Sequence, residues 1–135
     1  MKVYSTLLLL FAFCCPHHLA AAETIIVVAN TSDKSIKLNR QQVRNLYMGG
    51  IMPYDLKAIA LPPENHTRVI FNTKVVGLTE SYWAQMRFTG RKKAPKEIKN
   101  EMSVLEYLQN HEGAVGYLLA GTPIPDGLSV IYTVR

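Results

Sequence analysis

Cysteine is nearly missing from this 135-residue chain, and its only two, Cys14 and Cys15, sit side by side in an N-terminal apolar run. From Glu23 onward there is no thiol, which excludes disulfides, thiolate metal sites and cysteine nucleophiles from that part. Histidine is almost as scarce there. Only His66 and His111 remain, and neither has a carboxylate pair beside it, so no metal site is expected. No apolar run reaches the roughly 20 residues that a membrane span needs. There is no glycine-rich nucleotide loop, nucleophile motif or carboxylate pair, so neither an enzyme nor a cofactor is expected. Glu64 and His66 are polar neighbours at a helix start and read as capping residues rather than acid–base machinery.

What is present begins with a targeting segment. Met1 and Lys2 give a short basic start, Leu7 to Cys15 is unbroken and apolar, and Ala20-Ala21-Ala22 precedes Glu23. That is the pattern of a cleaved signal peptide over residues 1–22. Phe13 is too bulky to precede a lipid-attached Cys14. The expected product is a soluble periplasmic protein with one domain over residues 23–135, held together by its core alone. Setting Lys2 aside leaves 14 basic and 10 acidic residues, a net charge of +4. Much of the excess lies in "GRKKAPKEIK", Gly90 to Lys99, which is either an electropositive patch for anions, acidic lipid or an acidic partner, or a solvated basic loop. No aromatic residue interleaves with that run, so nucleic acid is not an expected partner.

The elements follow from periodicity and turn chemistry. "ETIIVVAN" is a continuous apolar run and predicts a strand buried on both faces. Asn39 with Gln42 predicts a capped helix that presents Val43, Leu46 and Tyr47 to one side and stops at Gly49-Gly50. "LKAIAL" is the next strand, followed by a helix to about Lys74 with Val69, Ile70 and Thr73 inward. Thr79 is expected to cap a helix whose Tyr82 and Trp83 are either core residues or a docking surface. Ser103 with Glu106 reads as a capping box for a helix ended by Gly113. "GAVGYLLA" and "LSVIYTV" complete the set, and the glycines of the first either face a ligand or admit a helix packed close. Strands alternating with helices predict an α/β fold with a mainly parallel sheet and helices on both faces. The expected core contains Ile26, Val28, Ile59, Val69, Leu105, Val115 and Tyr117.

In sequence order, "LNRQQVRNLYMGG", "YWAQMRFTGRKKAP" and "VLEYLQNHEGAVGYLLA" resemble a stretch of the periplasmic phosphate-binding proteins of ABC transporters, from about Ile25 to Ala120. That resemblance implies a solute-binding-like protein with the α/β fold of a single lobe, standing alone, whereas the family closes two lobes around its anion. One wall leaves an anion solvated, which implies weak binding.

The stretch "LPPENHTRVIFN" stands where the family carries an Arg-Ser-Asp-Gly-Ser-Gly-Thr run. Leu61, Pro62, Pro63, Glu64, Asn65 and His66 replace its first six residues, and only Thr67 matches. The prolines remove N–H donors, and Glu64 repels an anion. Asn65, His66, Thr67 and Arg68 remain as the candidate oxyanion site, with a cap, a hydroxyl, free N–H groups and a guanidinium. The same residues also read as a plain helix cap with Arg68 on a solvated face, and Asn65-His66-Thr67 carries the glycan-acceptor pattern. Two functions follow: an exported solute-binding-like protein with weak affinity for phosphate or another oxyanion, or a non-catalytic envelope interaction module that keeps the fold and meets a protein partner.

Overall fold

The computed structural model describes residues 23–77, 81, 82, 85 and 94–135. The signal-peptide segment, Thr79, Trp83, Met86, Arg87 and the Arg91-to-Lys93 basic run lie outside the described residues. Tyr82 lies within them and is 52% exposed, so it is not a core residue.

Strand β1 (Ile25–Ala29) is buried at all five positions, as its uninterrupted apolar sequence requires. It lies between β4 (Ala114–Leu119) and β5 (Ser129–Val134) and is antiparallel to both. Strand β2 (Lys57–Ala60) runs parallel to β4 on one side and to the two-residue β3 (Lys96–Glu97) on the other. The order is β3-β2-β4-β1-β5. The α/β class holds, but the sheet is mixed rather than mainly parallel. A continuous apolar run reports burial on both faces and carries no information on strand direction.

Helix α1 (Arg40–Met48) begins with the expected capping box: Asn39 Oδ1 accepts from the Gln42 N–H, and Gln42 Oε1 accepts from the Asn39 N–H. Gly49 ends it in the left-handed region at φ 78°. Helix α2 (His66–Phe71) continues into a π-helical segment, Asn72–Val76, that closes on Gly77. Helix α3 (Glu101–Asn110) starts earlier than the sequence suggested. Its cap is Asn100, whose side chain accepts from the Ser103 N–H, so Ser103 is already inside the first turn.

Both faces of the sheet are covered. Tyr117 of β4 stacks on Phe71 of α2 at 3.9 Å, and Tyr47 of α1 meets Phe71 edge-on at 4.7 Å. On the opposite face Gly116 leaves no room for a side chain: an added Cβ would lie 2.9 Å from Val104 Cγ1 of α3 and 3.3 Å from Ile59 Cγ1. That glycine admits the close helix. Ile26, Val28, Ile59, Val115 and Tyr117 are buried as expected. Val69 is instead 48% exposed, Thr73 is exposed and Leu105 is only partly buried. The inward face of α2 and its π-helical extension is Arg68, Phe71, Asn72, Val75 and Val76, with Ile70 at its margin. That stripe puts Val69 outside, and Val104 and Leu108 take the inward positions of α3.

Candidate functional site

The turn from β2 to α2 is built by the two prolines and Asn65. The Pro62 carbonyl accepts from the Asn65 N–H at 2.9 Å, and Asn65 is the helix cap. Its Oδ1 accepts from the N–H groups of Thr67 at 2.9 Å and Arg68 at 3.3 Å. Those two donors, which an incoming anion would need, are met by a neighbouring side chain.

The rest of the cap is taken up by a carboxylate from another element. Glu101, in the first turn of α3, accepts from Asn65 Nδ2 at 3.1 Å and from the Thr67 hydroxyl at 3.2 Å, both at Oε1. Desolvation opposes the charged form of Glu101. Hydrogen bonds from Asn65, from its own backbone N–H and from Thr67 outweigh it and hold the carboxyl below its ordinary value. The start of α2 therefore already holds an anion, supplied by the chain itself. The Asn65 amide, spent on both sides and half-buried, is also not presented as a glycan acceptor.

Arg68 lies neither beside that carboxylate in an open pocket nor on a solvated face. It is 2% exposed, and its Nη1 donates to the Leu61 carbonyl at 2.7 Å and approaches Glu97 Oε2 of β3 at 3.5 Å. The Leu61 N–H donates to the Tyr117 hydroxyl at 3.0 Å, so the residue that follows β2 is held at both its N–H and its carbonyl. Tyr47 sits beneath, its hydroxyl donating to the Ile59 carbonyl at 2.9 Å. Burial first, and Tyr117 second, push its phenol well above the usual range, with Arg68 opposing, so Tyr47 stays protonated and serves as a donor. His66 points elsewhere: it is largely exposed, and Nε2 lies 2.8 Å from Glu23 Oε1. Lys74 Nζ donates to the Glu23 carbonyl at 2.6 Å, so both fasten the chain just ahead of β1 to α2.

Of the four candidate residues, the structure joins Asn65 and Thr67 around one carboxylate oxygen and sends His66 and Arg68 to separate tasks. Glu101 is the participant that the sequence did not reveal. It lies 34 positions beyond Thr67, and an acidic residue in a first helical turn has a local reading as a partner of its own helix dipole. Among the described residues no group of three His, Cys, Asp or Glu side chains is placed to hold a metal ion. Nor, among them, is any helix long and apolar enough to cross a membrane.

Solved structures share this arrangement of strands and helices. An ABC-type phosphate transport receptor from Vibrio cholerae superposes with a TM-score of 0.62 at 16% sequence identity, over 81% of this chain and 45% of the receptor. A phosphate ABC transporter substrate-binding protein from Clostridium perfringens, solved with bound phosphate, gives 0.63 at 16% identity, over 81% of this chain and 44% of that one. The fold matches part of each of these two structures. At this identity the likeness is one of fold, and the chain spans less than half the length of either neighbour. No protein-family model and no curated protein matches the sequence.

Proposed function

We propose that this protein is a non-catalytic interaction module of the cell envelope, exported by its N-terminal segment, with the fold of a phosphate-binding protein and a start of α2 closed to ligand by its own Glu101. One observation carries this reading: Glu101 Oε1 accepts from both Asn65 Nδ2 and Thr67 Oγ1, where an oxyanion would have to sit. An external anion must displace a carboxylate that is tethered and already hydrogen-bonded, and it gains no help from Arg68, which is committed to Leu61 and Glu97. What is left for a partner is the protein surface.

A second reading, weak binding of phosphate at Asn65, His66, Thr67 and Arg68, is supported by the neighbour solved with bound phosphate. Calorimetric titration of phosphate separates the two. The interaction-module reading expects no saturable binding of phosphate, and the second reading a dissociation constant of about 1 mM, about −4 kcal/mol. Micromolar binding would overturn the interaction-module reading and require a second wall around the anion.

A further inference from the structure

We propose that the cavity beside the first half of β2 is a binding site for a small organic acid, an aliphatic or aromatic carboxylate with an apolar body. Its volume is about 700 Å³, which is within the range of small-molecule sites. It shares no residue with the Asn65-to-Arg68 turn, and it is independent of the function proposed above.

Two features define the ligand. Leu46 at the end of α1, Ala58 and Ile59 of β2, Pro95 ahead of β3 and Tyr107 of α3 supply apolar walls from four directions. Burial of hydrocarbon against them favours binding without regard to charge. The charged part of the lining is two lysines, Lys57 and Lys96, against the single carboxylate of Glu112.

The Lys57 backbone N–H donates to the Gly113 carbonyl at 2.8 Å, whereas its ammonium makes no hydrogen bond or ion pair with any described residue and can receive an anion without breaking an existing contact. Lys96 Nζ lies 5.0 Å from the centroid of the Tyr107 ring, and the His111 imidazole stacks on that same ring at 3.7 Å. With the imidazole stacked on one face of the ring, the Lys96 ammonium takes the other. A carboxylate head beside the lysines with its hydrocarbon against Leu46 and Ile59 satisfies both features. Inorganic phosphate would leave the apolar walls unused, and an amine would face the lysines.

The probe is 3-phenylpropionate, titrated into the full-length protein and followed by two-dimensional NMR and calorimetry. Saturable shifts are expected to cluster at Lys57, Tyr107 and His111. The neutral amide of the same acid should bind at least tenfold more weakly to the native protein, and the double variant Lys57→Gln/Lys96→Gln should bind the acid at least tenfold more weakly than native. Both lysines are exposed, so the variant is expected to fold, and the amide comparison needs no variant. The proposal is overturned by the absence of saturable binding at millimolar concentration, by shifts centred on residues 65–68, by equal affinity for the amide, or by a double variant that folds and binds normally.

Discussion

A guanidinium that is 2% exposed must find acceptors, because a buried charge without partners costs several kcal/mol. Arg68 finds the Leu61 carbonyl and Glu97, and in doing so fixes the end of β2 and draws β3 to it. Arg68→Ala is expected to destabilise the fold by about 3 kcal/mol, since it leaves an acceptor unpaired and opens a cavity. Urea unfolding measures it. A loss below about 1 kcal/mol would mean that the side chain is a surface group, contrary to its burial. Glu101→Gln is a milder change: it keeps the side-chain shape and one acceptor oxygen but removes the charge, with an expected cost of about 1 kcal/mol. The Arg68 position could not be read from the sequence because a charged residue at a helix start has two ordinary homes, a ligand pocket and solvent. Its actual site depends on Leu61 and Glu97 converging on it through tertiary structure.

At the scale of elements, the parts with local chemical signatures were legible and the parts made by distant contact were not. Strands β1, β2, β4 and β5 stand out as apolar runs between turn residues, and α1 carries both ends of its definition in Asn39, Gln42 and Gly49. Strand β3 is a Lys-Glu pair, exposed at both positions, and becomes a strand only because β2 offers it an edge. The capping-box pattern at Ser103 and Glu106 was misleading, since Asn100 supplies a cap three residues earlier. The close contact of α3 with the sheet rests on Gly116. Gly116→Ala would place a methyl group 2.9 Å from Val104 Cγ1, and since α3 cannot retreat without opening the core, a destabilisation of about 1–3 kcal/mol is expected. If the double variant Gly116→Ala/Val104→Ala recovers most of that loss, the contact is the cause. A loss that persists would place the effect in the strand backbone.

For the whole molecule, the described residues match less than half of each of the two neighbours, and the carboxylates of Glu101 and Asp33 are engaged by the chain itself. This has a consequence for pH. Glu101 is held below its ordinary 4.5 as described above, and Asp33 is held below 3.8 by hydrogen bonds from the Ser35 hydroxyl and N–H, which outweigh desolvation. A carboxyl whose folded pKa is depressed takes up its proton more readily when the chain unfolds. Its stabilisation is complete above the unfolded value and disappears as pH falls through the folded one. Stability should therefore be nearly independent of these groups above about pH 5 to 6 and decline steadily below about pH 4.5. In urea unfolding from pH 6 to pH 3, native protein should lose stability faster than Glu101→Gln, so that the gap between them narrows as the solution becomes more acid. Asp33 is fully exposed, and Asp33→Asn should change the slope less. Parallel pH profiles for native protein and Glu101→Gln would show that the carboxylate at the start of α2 is not preferentially ionised in the folded state, and the self-occupied site would have to be abandoned.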